Sequence, residues 1–229
     1  ASLGERRVMS RHPAPEELLL DYAAGALPEG LALAVGLHVA LDPAARRTVD
    51  RLNALGGALL ERESEAGLDE DALAEAALER MLARLDKIAV EPRPAPVVPR
   101  PGFEWAPPPL ARYLGPNPRW RRVLGGFEEM RLTMHGNSQR VSLLRLMPGR
   151  GLPVHRHAGT EHTGVLQGGY TDETGNFGVG DFTFGPDSEH EPIADPGDPC
   201  IALIVLEQPI VLTGPIGRWL NPLVRRDWI

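Results

Sequence analysis

Four side chains in the second half of the chain have the types and spacing to hold a metal ion. In the segment GRGLPVHRHAGTEHTGVLQG, His155 and His157 stand two positions apart, Glu161 follows after three intervening residues, and His190 lies downstream in GDFTFGPDSEHEP. Successive side chains of an extended strand point to opposite faces, so His155 and His157 present both imidazoles to one side. Glu161 can return to that side from the following turn or strand. A fourth ligand has to come from a distant strand, and His190, after the Gly180-Asp181 turn, is the candidate. Three imidazoles and one carboxylate make a nitrogen-rich set that takes zinc, iron, manganese, copper or nickel without sharp selection. The alternative is a metal-free pocket whose histidines hydrogen-bond within it. His162 has the opposite parity to Glu161 on a strand and belongs on the other face, solvated or behind the ligands. His135, in HGNSQ, reads as an exposed turn residue.

Strands must position these ligands, and the sequence around them supplies short apolar or alternating runs. Val141 to Met147, Thr163 to Leu166, Phe182 to Phe184 and Ile201 to Leu206 are separated by glycine-rich turns, the pattern of a β-sandwich or barrel. Glycines also flank the ligands: five residues separate Gly149 from His155, and six separate Glu161 from Gly168. That spacing resembles the first cupin motif at every anchor. Ahead of it, residues 11 to 88 read as helices: Glu16 to Ala24 closing at Gly25, a second after Pro28 through His38, a third after Asp42-Pro43, and a fourth over about Asp69 to Lys87. The fourth carries Leu78, Leu82 and Leu85 on one stripe. Between the halves, EPRPAPVVPRPGFEWAPPP is too rich in proline to continue a helix and reads as an extended linker. The organisation is therefore an α+β multidomain chain: a small all-α helical bundle at 1–88, a linker at 89–110, and at 111–229 an all-β cupin barrel of the double-stranded β-helix or jelly-roll type.

Composition narrows the function. A hydrophobic fraction of 42% over 229 residues suffices for the cores of two small domains. No apolar run reaches the length of a membrane span and no secretory leader is evident, so a cytoplasmic location without membrane contact is expected. Of the net charge of −7, residues 1–90 contribute most, with 16 acidic and 10 basic side chains. Acidity of that kind argues against direct nucleic-acid binding and suits a basic protein partner. The single cysteine, Cys200, excludes a disulfide framework and a CxxC redox pair. Opening the apolar run DPCIALIVLEQ, it reads as a buried residue at a strand start. Trp105, Trp120, Trp219 and Trp228 read as packing residues, and Arg145 and Arg156 as outward-facing.

Together the two halves resemble ChrR-type anti-sigma factors, in which a zinc-binding helical domain precedes a cupin. The resemblance rests on HPAPEELLLDYAAGALPEGLALAVGLHVALDPAARRTVDRLNALGGALLE, on the cupin motif behind it, and on the EEM and DETGNFGVGDF segments. It implies a non-catalytic regulator: helices that sequester an extracytoplasmic-function sigma factor, and a cupin that senses an oxidative or chemical signal, with zinc as the expected cupin metal. The departure concerns the helical zinc motif, an early histidine followed by HxxxCxxC. The matching positions here are His12, His38, Asp42 and Ala45, so both cysteines are missing. A second site of His12, His38 and Asp42 would have only three ligands, whereas structural zinc sites have four. Asp42 before Pro43 also reads as a helix N-cap. Two other functions fit the residues: a cupin dioxygenase with an accessory helical domain, and self-association, including homodimerisation through the cupin.

Overall fold

The first helix starts and stops where its punctuation demands. The computed structural model describes residues 10–67, 75–85, 101–123, 126–135, 139–157, 159–186, 189–214, 219 and 221–222. Helix α1 (Glu16–Ala23) ends at Gly25, whose φ of 68° lets the Ala26 amide turn back to the Asp21 carbonyl. Helix α2 (Glu29–Leu41) follows Pro28 and runs to Leu41, past the expected end at His38. There Asp42 leaves the helical conformation and caps α3 (Pro43–Gly67), its Oδ1 accepting the Ala44 amide at 2.6 Å while Pro43 takes the first position.

Among the described residues, the expected helical bundle is made by the first three helices. Helices α1, α2 and the start of α3 pack together, with Ala45 and Val49 buried, but residues 53–63 of α3 are all exposed. Helix α4 (Glu75–Leu85) does carry the expected stripe, yet Leu78, Leu82 and Leu85 are each more than half exposed. The rest of the expected fourth helix, 69–74 and 86–87, lies outside the described residues. Periodicity makes one face apolar; no described part of this chain supplies a cover for it.

After α5 (Pro108–Ala111) come, among the described residues, twelve antiparallel strands: β1 (Arg121–Arg122), β2 (Glu128–Arg131), β3 (Arg140–Leu146), β4 (His155–His157), β5 (Thr160–Gln167), β6 (Gly169–Asp172), β7 (Gly175–Gly178), β8 (Phe182–Pro186), β9 (Glu189–His190), β10 (Ile193–Ala194), β11 (Cys200–Leu206) and β12 (Ile210–Leu212). A six-stranded sheet of order β1-β2-β3-β11-β5-β8 is completed by two three-stranded sheets, β10-β6-β7 and β12-β4-β9. Gly168, the last glycine of the motif, turns β5 into β6 with φ 63°. A side chain there would meet the Pro199 carbonyl oxygen at 2.7 Å. Inside the barrel, Leu146, Val165, Tyr170, Phe177, Ala194 and Cys200 form one core. Burial pushes the Cys200 thiol up to about 12, leaving it a hydrophobe at the start of β11.

A second core joins the two halves. Helix α2 is apolar on all sides, as a helix covered on both faces must be; Leu33, Ala34, Val35 and Leu37 are all at most 5% exposed. One side meets α1 and α3, and the other lies on β5 and β11. Met130, Val141, Leu143, Leu166, Phe182, Leu203 and Val205 of the six-stranded sheet belong to the same cluster. Residues 101–110, read from sequence as the end of an extended linker, contain turns and most of α5, with Leu110 fully buried against α2. Residues 89–100 lie outside the described residues.

Among the tryptophans, Trp105 packs with both Phe103 and Trp120, and the Arg145 guanidinium sits 4.5 Å above Trp120 while bonding Glu128 at 2.6 Å. Trp219 is 75% exposed, contrary to the packing role expected of it, and Trp228 lies outside the described residues.

Because the core is shared, Leu37→Ala should destabilise the whole chain by about 2–5 kcal/mol. Urea titration followed separately by helical circular dichroism and tryptophan fluorescence should show both signals shifting to the same lower midpoint. Separate transitions would mean that the halves fold independently.

Candidate metal centre

Strand β4 has the alternation that the HxH spacing requires: His155 and His157 are buried and Arg156 is exposed. Strand β9 pairs with β4 so that His190 stands directly opposite His155. Glu161, near the start of β5, reaches the same point from the six-stranded sheet. The ligating atoms of these four residues all lie within 4.8 Å of one another. His190 Nε2 is 3.1 Å from His157 Nε2 and 3.2 Å from His155 Nε2, and Glu161 Oε2 is 3.0 Å from His157 Nδ1.

The outer partners of the rings decide what these atoms can do. His155 Nδ1 is 2.8 Å from the Pro153 carbonyl oxygen, which can only accept, so the proton belongs on Nδ1. His190 Nδ1 is 3.1 Å from the Asp172 carboxylate, which assigns its proton in the same way. Both Nε2 atoms then carry bare lone pairs aimed at each other. His157 Nδ1 is buried and faces the Glu161 carboxylate at 3.0 Å, which leaves its Nε2 toward His190. Acceptors facing acceptors repel unless a cation lies between them, and the Nε2 separations approach the spacing of about 3.3 Å between ligands of a tetrahedral ion with bonds near 2.0–2.1 Å. The donor set fits a metal, and the second shell that such ligands require is present.

Electrostatics point the same way. Burial, reinforced by nearby His190, pushes the His155 pKa down to about 4, so the ring is neutral and able to coordinate at physiological pH. Burial would raise the Glu161 pKa, but contact with His157 and the Thr163 hydroxyl, which donates at 2.6 Å, outweigh it and hold the carboxyl below its usual range. Asp172 is pinned in turn by the Thr174 amide at 2.8 Å and hydroxyl at 2.6 Å. Sequence reasoning missed Asp172 and Thr163. Thr163 shares the parity of Glu161 and was within reach of the strand argument. Asp172 looks like any turn aspartate until β6 is placed beside β9.

The second set, His12, His38 and Asp42, is used otherwise. His38 is 2% exposed with both ring nitrogens engaged: Nδ1–H donates to the Gly180 carbonyl at 2.8 Å, and Nε2 accepts the Ala14 amide at 3.2 Å. Burial lowers its pKa despite the Gly180 bond. Asp42 caps α3, and His12 lies against Asp181. His162 is on the face opposite the ligands, as its parity requires, but it is buried beside Phe182 and Phe184 rather than solvated. His135 is exposed, its amide donating to Glu29. Arg156 is exposed, and Arg145 is held by Glu128 and Trp120.

Comparison with known proteins adds independent findings. The ChrR cupin-like domain family matches residues 117–209. The anti-sigma-E factor ChrR of Cereibacter sphaeroides is 35% identical over 219 residues, spanning 94% of this chain and 98% of that protein. The crystal structure of Rhodobacter sphaeroides SigE in complex with the anti-sigma ChrR superposes with a TM-score of 0.68 at 35% identity, covering 86% of this chain and 99% of the matched one. A putative acetylacetone dioxygenase from Methylibium petroleiphilum aligns with 48% of this chain at 12% identity and a TM-score of 0.39, too distant to transfer any chemistry.

The lowered His155 pKa has a measurable consequence in metal-stripped protein. The folded site resists a proton that the unfolded chain accepts near 6.5, so its contribution is present above 6.5 and is lost as pH falls toward about 4. Denaturation midpoints should therefore fall between pH 7 and pH 5, and the fall should be smaller in His155→Ala. Equal slopes in the two proteins would contradict this account of the site.

Proposed function

The chain belongs to the ChrR anti-sigma family, and from that membership we propose that its N-terminal helices sequester an extracytoplasmic-function sigma factor while its cupin holds one divalent metal through which a chemical signal is read. In this reading the cupin is a sensor and not a catalyst, and the protein acts in the cytoplasm, where sigma factors meet RNA polymerase. Among the described residues no helix is long and apolar enough to cross a membrane.

The carrying observation is the alignment over 94% of the chain with an anti-sigma factor whose family is crystallised on its sigma factor. Support within the molecule comes from apolar side chains that the described helices leave exposed. Leu55, Leu59 and Leu60 of α3, and Leu78, Met81, Leu82 and Leu85 of α4, are all more than half exposed. Apolar helix faces of this kind are what a helical partner buries. The acidic balance of residues 1–90 supplies a polar rim for a basic partner. For the metal, support comes from the converging lone pairs of His155, His157 and His190 with the Glu161 carboxylate. Zinc suits a sensor of this kind, since it fills a nitrogen-rich tetrahedral site and has no redox chemistry of its own.

Two measurements test this. Binding assays against the source organism's extracytoplasmic-function sigma factors should find one tight partner, and Leu82→Asp should weaken that complex at least about tenfold with little change in thermal stability, as for a substitution at an exposed hot-spot position. No partner, or equal affinity for the variant, would refute the proposed interface. Elemental analysis should find about one zinc per chain, lost in His155→Ala. In Asp172→Asn, chelator competition should show an affinity lower by about 10–100-fold, the effect of removing a carboxylate behind a ligating histidine.

A further inference from the structure

Beside the apolar core that joins helices and cupin, one buried carboxylate bridges the two halves. Asp181, in the turn before β8, is 3% exposed. Its Oδ1 accepts the Ser10 hydroxyl at 3.1 Å, the Arg11 amide at 2.7 Å and the His12 amide at 3.0 Å. Its Oδ2 accepts the Gly178 amide at 2.8 Å and lies 3.3 Å from His12 Nδ1. Around this carboxylate the Phe182 amide donates to the His12 carbonyl at 2.8 Å, and the His12 ring lies against Phe177 with centroids 4.5 Å apart. One step further in, His38 of α2 ties the Ala14 amide to the Gly180 carbonyl. Ser10, Arg11 and His12 of the N-terminal segment and His38 of α2 thus meet the cupin at Phe177, Gly180, Asp181 and Phe182.

A carboxylate is retained in such a place only if hydrogen bonds replace its lost water, and consecutive backbone amides such as those of Arg11 and His12 are effective anion ligands. The same bonds consume what a metal in the helical half would need. His38 has no free ring nitrogen, Asp42 caps α3, and Ala45 offers no donor atom at all. The three-ligand site written in the sequence does not fit a metal.

We propose that Asp181 is an internal docking receptor which organises residues 10–14 and α2, so that the helical half is held in shape by the cupin and not by a metal ion of its own. Neither sigma binding nor the cupin metal enters the claim, so its failure would leave the proposed function standing.

Hydrogen exchange on the full-length chain tests it, with cupin metal content as a control for folding. Asp181→Ala should raise exchange in peptides covering residues 10–41 by about tenfold or more, while β3, β5 and β11 keep their protection. Exchange within about twofold of the parent at residues 10–41 would overturn the proposal. Should Asp181→Ala not fold, Ser10→Ala and the isosteric Asp181→Asn take its place. Each should loosen the same peptides and no others, and equal protection in both would overturn the proposal. His38→Ala supplies the second arm: it should retain the parent's metal content, and loss of a metal ion in that variant would also overturn it.

Discussion

The structure depends on the need of α2 for cover on both faces. A thirteen-residue helix whose Leu33, Ala34, Val35 and Leu37 point in different directions and are all buried cannot stand at the surface of a three-helix cluster. One side takes α1 and the start of α3; the other takes the outer face of the six-stranded sheet. From this follows the position of α5, which closes the end of the same core through Leu110, and the proximity of the N-terminal segment to the turn at 178–182. The sheet is buried on two faces in consequence. Its outer side carries Leu143, Phe182, Leu203 and Val205 toward the helices, while its inner side carries Val165 and Cys200 toward the barrel.

The metal centre is assembled by a different rule. Alternation along β4 gives two imidazoles, antiparallel pairing with β9 gives the third, and Glu161 crosses from the opposite sheet. Rigidity comes from groups that never touch the centre: the Pro153 carbonyl, the Asp172 carboxylate and the Thr163 hydroxyl each fix one ligand in one protonation state. The inner face of the barrel carries a second buried charge at Glu129. Burial alone would raise its pKa, but bonds from Arg140, Arg121 and Ser142 bring it down to about 2. Glu129 is therefore held in a network of its own, apart from the metal centre.

What could be read from the residues follows from how local each constraint is. His155, His157 and Glu161 were legible because parity and the flanking glycines act within twenty residues, and His190 because a fourth ligand had to come from the next histidine-bearing strand. Asp172 and Asp181 were not: Asp172 is an unremarkable turn aspartate until His190 is folded against it, and Asp181 until the N-terminal segment, 170 residues away in sequence, is brought to the cupin. The stripe Leu78, Leu82, Leu85 was found correctly and given the wrong surroundings: spacing shows that a helix has an apolar face and says nothing about what covers it. The reading of 101–110 as extended failed similarly, because proline at a helix start is permitted and Leu110 had a core to enter. His162 was given the right face and the wrong solvent, its cover coming from Phe182 and Phe184.

Two of the donors that meet Asp181 from the N-terminal segment, the amides of Arg11 and His12, belong to the main chain, as does the Phe182 amide that donates to the His12 carbonyl across the joint. A contact written in peptide groups is blind to the side chains that carry them. Residue 11 is thus free to vary without weakening the joint, provided that proline is avoided there, whereas Ser10 contributes its hydroxyl. The trace it leaves is on the other partner: an acidic side chain held at one corner of a barrel, most of whose hydrogen-bond donors lie at the far end of the chain.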